Sequence, residues 1–245
     1  MRGSQTLERG LDILFVLTEA GRTLTVPEIA EKVSLPESTT YRFIQTLEQN
    51  GIVERKGQGQ IGLGFRILDM ARGLTQQIDY QLNIIAHPFM ESLTNKTGET
   101  TVLAVRTGLN VVVIQRIESA HFIRMAVDEG KNLPLLEGAS GKALLPFENQ
   151  KVIEQTLTHL KNPKKIADLA SQLNAIRGKG FVITKGEVDK DVIGIGAPIF
   201  NRFNQVIASL TIAGPSFRIS KEQSELFAKE LLITARKITE QLSMT

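Results

Sequence analysis

Ser38, Arg42, Gln45 and Gln49 fall at i, i+4, i+7 and i+11, one continuous polar stripe along a helical pattern. Serine, arginine and glutamine donate to phosphate oxygens, and arginine and glutamine also match purine edges in a major groove. Their chemistry is surface recognition. A solvated helix face looks the same in isolation, so the setting of the stripe must decide. A second stretch, "EGASGKALL" from Glu137 to Leu145, invites a catalytic reading and fails each one. A phosphate loop needs glycine where Leu136 stands and Ser or Thr where Ala143 stands. A nucleophile elbow needs glycine at Lys142, and an S-x-x-K pair needs lysine at Ala143. What remains is a helix start built of small residues. Its free first-turn N–H groups suit an anion, and its small side chains equally suit a close helix–sheet contact.

Other chemistry is sparse. The three histidines, His87, His121 and His159, lack metal-ligand spacing. Glu187, Asp189 and Asp191 cluster in a Gly- and Lys-rich segment and read as a solvated loop. The absence of cysteine removes disulfides, thiolate nucleophiles and cysteine metal sites. No metal or cofactor is expected, and no enzyme. A cytoplasmic setting suits a chain without cysteine. No apolar run approaches the roughly 18 residues of a membrane span, and acids at Glu8, Asp12 and Glu19 interrupt any signal-peptide core. The 245 residues allow one large domain or two small ones. Net charge is +3, and residues 1–75 carry nine basic and nine acidic side chains. Nucleic-acid binding, if present, rests on local arrangement.

The stripe sits within a compact succession of elements. Leu7, Leu11, Leu14 and Leu17, widened by Ile13 and Val16, predict an amphipathic helix stopped at Gly21. Thr25 and Glu28 have capping-box spacing, and Val26, Ile29, Ala30 and Val33 give the buried face of a second helix. A third helix opens at Pro36 and ends at Asn50-Gly51, burying Thr40, Phe43, Ile44 and Leu47. "IVERK" and "QIGLG" around "GQG" predict a hairpin with a flexible tip. Helix, capped helix, tight turn, polar-faced helix and basic hairpin together form the layout of a winged helix-turn-helix.

From Phe65 to about Asn95 the pattern is helical, with a break at His87-Pro88. Leu74, Ile78, Leu82, Ile85 and Phe89 form an apolar stripe that suits a core or a dimer seam equally. Beyond Gly98 the period becomes two: "ETTVLAV", "NVVVIQRIES" and "HFIRMAV" predict strands. Helices are expected at 140–147, 149–158 and 164–177. Strands return at "GFVIT", "VIGIGAPIF" and "QVIASLTIA". A last helix carries Leu226, Phe227, Leu231, Ile238 and Leu242. This is an α+β pattern, an antiparallel sheet with packed helices.

With these elements in place the chain resembles the IclR-type bacterial transcriptional regulators. The likeness is carried by "TLERGLDIL", "PEIAEKVSLPESTTYRFIQTLEQNGIV" and the "LG" closing the hairpin. It continues in "HPFMESLTNKTGET", "LEGASGKALL", "IRGKGF" and "APIFNRFNQVIASLTIAGPSFRIS". The resemblance implies a winged helix-turn-helix domain at 1–64, a linker helix at 65–80 and a GAF-like effector-binding domain at 81–245. Departures stand at Ile61-Gly62, at "NRFNQV", at Thr184 where an acid is frequent, and at Gly194 where Cys is common.

The expected function is a ligand-responsive regulator, a repressor of a catabolic operon acting as homodimer or tetramer on a double-stranded DNA operator, with no membrane partner. Ser38, Thr39, Arg42 and Gln45 are expected in the major groove. Tyr41 and the hairpin residues Arg55, Lys56, Gly57 and Gln58 are expected near the backbone. Thr40 is counted with this contact set, although its spacing also assigns it to the buried face. The resemblance further implies an effector pocket formed by Met125, Leu133, Ala139, Ser140, Thr184, Gly194, Thr211 and Ala213. Their types favour a small keto or hydroxy monocarboxylate. An aromatic acid competes, because Gly194 leaves space. The alternatives are a sensor whose N-terminal domain docks a protein, and a GAF-like catalytic domain.

Overall fold

The structure is a computed structural model that describes residues 4–77, 80–158, 160 and 163–244. The chain divides into two compact units, 1–79 and 80–245.

In the first unit, α1 (Gln5–Ala20) is capped by the Ser4 hydroxyl and closed by Gly21 at φ 59°. Its buried residues are Ile13 and Leu17, while Leu7 and Leu11 of the predicted stripe are exposed. The packed line is the i, i+4 pair, and the leucines before it lie off the core. The short strand β1 (Leu24–Thr25) precedes α2 (Val26–Lys32). The capping box is present: Glu28 Oε2 accepts from Thr25 N at 2.7 Å, and Thr25 Oγ1 from Glu28 N at 3.4 Å. Backbone and side-chain donors, Thr25 first, hold the Glu28 carboxyl down at about 2. Helix α3 (Glu37–Gln49) begins one residue later than expected, with Pro36 in the capping position. Strands β2 (Val53–Lys56) and β3 (Gln60–Leu63) form the predicted hairpin, and β3 also pairs with β1. Two residues show no periodicity, so β1 was invisible in the sequence. Ile13, Leu17, Leu24, Ile29, Ile44, Val53 and Ile61 make the core. Helix α4 (Arg66–Gln77) ends the described part of this unit.

In the second unit, α5 (Tyr80–Thr97) continues through Pro88, where a break was expected. Proline forfeits one bond to the carbonyl four residues earlier. Pro88 and Ile84 both lie on the exposed side, so the bond is forfeited at the surface and not in the core. Leu82, Ile85 and Phe89 pack into the core of this unit. Ile78 and His159 lie outside the described residues, and so does the side chain of Leu74.

Six described strands form one antiparallel sheet: β4 (Thr100–Thr107), β5 (Asn110–Ile117), β6 (Asn132–Pro134), β7 (Val182–Lys185), β8 (Val192–Phe200) and β9 (Val206–Pro215), in the order β6-β5-β4-β9-β8-β7. Between them come α6 (Gly138–Leu144), α7 (Gln150–Thr158) and α8 (Pro163–Lys179), and α9 (Lys221–Ser243) follows. "HFIRMAV" is not a strand. Its backbone is held by side chains instead of a ladder: Thr100 Oγ1 donates to Met125 O at 2.9 Å and Arg218 to Ile123 O at 3.1 Å. Arg218 is itself fixed by a bidentate pair with buried Glu99, at 2.7 and 2.8 Å. The edge beside β5 belongs to β6.

Strand periodicity separates two faces. Leu103, Ile195, Ala197, Leu210 and Ile212 bury against Ala86 and Met90 of α5 and Leu231 and Ile238 of α9. Val102, Thr211, Ala213 and Gly194 point the other way, toward α6.

Candidate DNA-reading face and ligand cavity

On α3, Ser38, Tyr41, Arg42, Gln45 and Gln49 are exposed and Thr39 is half-buried. The expectation for Thr40 is corrected. It is fully buried, and its hydroxyl donates to Pro36 O at 3.2 Å, because it lies one turn before Ile44 on the core side. The guanidinium of Arg42 has no hydrogen-bond or ion partner among the described residues, so its donors are free for a ligand. The hairpin cations differ. Arg55 Nε pairs with Glu48 Oε2 at 3.0 Å, and its guanidinium lies 5.0 Å from the Tyr41 ring centroid. Lys56 Nζ pairs with Glu54 Oε2 at 2.6 Å. That hydrogen bond, with one from Phe65 N, holds the Glu54 carboxyl below its usual range. Gly57 and Gln58 form the exposed tip, Gln58 at φ 62°. Phosphate contact by Arg55 or Lys56 therefore displaces an intramolecular carboxylate. Residues seven apart across a helix–strand junction gave no signal of this in the sequence.

In the second unit, Met125, Leu133, Ala139, Ser140, Thr184, Gly194, Thr211 and Ala213 all line one cavity. Val102, Val113, Val127, Val188 and Val192 complete an apolar wall, and Glu137 and Glu187 stand in its lining. The cavity volume is about 60 Å3. Ser140 Oγ and Thr211 Oγ1 are 2.9 Å apart, a hydroxyl pair bridging α6 and the sheet.

Two features depart from expectation. A Cβ on Gly194 would sit 3.0 Å from Ala139 Cβ and 3.1 Å from Thr184 Oγ1, so α6 already fills the space assigned to an aromatic ligand. A Cβ on Gly196 would meet Ala139 O at 2.5 Å. The small residues therefore do serve a close helix–sheet contact. Second, Glu187 lies in an exposed loop as expected, yet its carboxylate is engaged. Its Oε2 accepts from Gly138 N at 3.1 Å and its Oε1 from Lys142 Nζ at 2.6 Å. A carboxylate of the chain itself thus occupies the first N–H of α6, a contact across 49 residues that no local pattern announces.

Among the described residues no His, Asp and Glu cluster could hold a metal ion, and no helix is long and apolar enough to cross a membrane. A winged helix-turn-helix followed by a sheet unit with a small hydroxyl-bearing cavity defines a DNA-binding transcriptional regulator with a ligand-sensing domain. Residues 6–57 match the model of the IclR helix-turn-helix domain, and residues 77–240 that of the bacterial transcriptional regulator IclR C-terminal region. The chain belongs to the IclR family of bacterial transcriptional regulators. It is 30% identical to the HTH-type transcriptional repressor AllR of Escherichia coli (strain K12) over 251 residues, covering 99% of this chain and 92% of that one. The crystal structure of the Thermotoga maritima IclR aligns with a TM-score of 0.68 at 27% identity, covering 97% and 98% of the two chains. An IclR homologue from Microbacterium hydrocarbonoxydans, complexed with 4-hydroxybenzoate, shares the fold with a TM-score of 0.77 at 24% identity, over 98% and 100%.

Proposed function

We propose that the chain is a cytoplasmic repressor of a catabolic operon, acting as a homodimer or a dimer of dimers and released by a small monocarboxylate. Residues 1–64 read DNA, 65–80 link, and 81–245 form a GAF-like sensor. A single helix-turn-helix contacts one half-site, so two-fold symmetry matches a palindromic operator. Ser38, Thr39, Arg42 and Gln45 enter the major groove, with Tyr41, Arg55, Lys56, Gly57 and Gln58 along the backbone.

The observation that carries the ligand reading is the convergence of eight separated residues on one cavity whose neutral polar groups are the Ser140, Thr184 and Thr211 hydroxyls. A water needs about 10–15 Å3 on this measure, so about 60 Å3 holds roughly four to six such atoms. That fits a short keto or hydroxy acid and is too small for a benzoate ring without wall movement. The Microbacterium homologue's ligand is also a monocarboxylate. The lining includes two carboxylates and no cation, and the nearby Lys142 is already paired with Glu187, which disfavours a second negative charge on the ligand. Calorimetry with keto, hydroxy and aromatic acids against the wild type and Ser140→Asp tests this. A short acid is expected to bind and to lose at least tenfold in affinity in the variant. Unchanged affinity removes the ligand from this cavity.

A further inference from the structure

The sensor unit holds a second, larger cavity, about 380 Å3 on the same measure, bounded by the end of α8, the end of β8 and the outer turns of α9. Its chemistry is the reverse of the first. Phe147 and Phe200 form its aromatic side, edge to face with centroids 5.2 Å apart and planes at 88°. That arrangement leaves ring surface available for a third aromatic group. Leu232 and Pro198 add aliphatic surface. Gly180, at φ 77°, brings the chain so close that a Cβ there would lie 3.3 Å from Leu232 Cδ2.

Three cations line the cavity, Arg177 and Lys179 from the last turn of α8 and Arg236 from α9, against one acid, Glu240. Arg177 is fixed: its Nε and one terminal nitrogen donate to Pro146 O, the former at 3.0 Å. Lys179 and Arg236 have no hydrogen-bond or ion partner among the described residues. A positive balance beside ring surface, in a cavity of the size that small-molecule sites usually have, selects a flat apolar body with one negative group. Arginine in particular offers carboxylate a planar fork while its face stacks on rings.

We propose that this cavity is a second ligand site, for an aromatic carboxylate, distinct from the small hydroxyl-bearing cavity beside α6, with which it shares no lining residue. The two would divide ligands by size: short acids in the first, ring acids in the second. A ring acid bound here contacts α9 at Leu232 and Ala235, and α9 is the helix whose Leu231 and Ile238 cover the inner face of the sheet.

The experiment uses the full chain with benzoate as probe and inorganic phosphate as the charge-only control, followed by calorimetry and by fluorine NMR of a fluorobenzoate. Benzoate is expected to bind the wild type and the Ser140→Asp variant alike. It should weaken about tenfold or more in Arg236→Ala, the loss expected for one hydrogen bond to a charged group. Arg236 is exposed, so this variant keeps the fold. No benzoate binding up to ~10 mM overturns the proposal. So does binding lost in Ser140→Asp but kept in Arg236→Ala, which assigns benzoate to the first cavity. Phosphate binding as well as benzoate also overturns it, since that is attraction to surface charge alone. Because the first cavity's reading is tested by short acids, either proposal can fail without the other.

Discussion

The two faces of the six-stranded sheet share strands and register and differ in almost everything else. One face carries Leu103, Ile195, Leu210 and Ile212 against α5 and α9. The other presents Val102, Thr211, Ala213, Gly194 and Gly196 beneath α6. On β9 the alternation is residue by residue: Leu210 and Ile212 inward to the helices, Thr211 and Ala213 toward the cavity. Bulky side chains on the first face leave no room and hold the fold. Small and hydroxylated ones on the second let a helix approach and still leave a cavity beside it. On the function proposed here, stability and recognition are separated by the period of two that a strand imposes.

Substitutions on the two faces should therefore do different things. The largest effect is expected from Ile195→Ala. Ile195 is fully buried, and a truncation of this kind costs about 2–5 kcal/mol. Thermal melting should show it, with ligand affinity of the surviving folded protein unchanged. Next is Gly196→Ala, on the cavity face. Its Cβ would press on backbone at Ala139 O, so α6 must move, at about 1–3 kcal/mol. Unlike the first variant, it should also alter ligand binding, because α6 carries Ser140. Thr211→Val keeps the shape but removes the partner of the Ser140 hydroxyl, at about 1 kcal/mol. Calorimetry should show weakened binding of a short acid with little change in melting. Gly194→Ala is the mildest. Its new methyl would lie 3.0 Å from Ala139 Cβ and 3.1 Å from Thr184 Oγ1, with backbone no nearer than Ala139 N at 3.8 Å, so α6 need shift only by tenths of an ångström. A loss of affinity growing with ligand size is the expected outcome. If Ile195→Ala changed binding selectively while Thr211→Val left it intact, the division of labour between the faces would be wrong.

What the sequence made legible follows the same physics. Periodic features were plain: the hairpin around "GQG", the capping box at Thr25 and Glu28, strand β8 to the residue, and the outward stripe of α3. Features made by contacts distant in sequence were not. The ion pairs of Arg55 with Glu48 and of Lys142 with Glu187 depend on tertiary approach. "HFIRMAV" has the composition of a strand, yet Thr100 and Arg218 hold it in an irregular course. Thr40 follows the buried spacing read for it, and its place in the contact set fails because a polar side chain next to the exposed stripe belongs to the core. The cavity residues were reached through a family resemblance and not through spacing. Their types alone left open whether small residues make room for a ligand or for a helix, and at Gly194 and Gly196 they make room for α6.

The central claim is that α3 reads DNA under control of a ligand in the small cavity. Fluorescence anisotropy tests it most directly, on a duplex that the protein itself enriches from a random pool. Wild type should bind, and Arg42→Ala should lose about 1–3 kcal/mol. A short keto or hydroxy acid should release the wild type but not Ser140→Asp, with the duplex weakening acid binding by the same factor. If the acid binds the protein yet leaves duplex affinity unchanged, or if Arg42→Ala binds as wild type does, the account is contradicted.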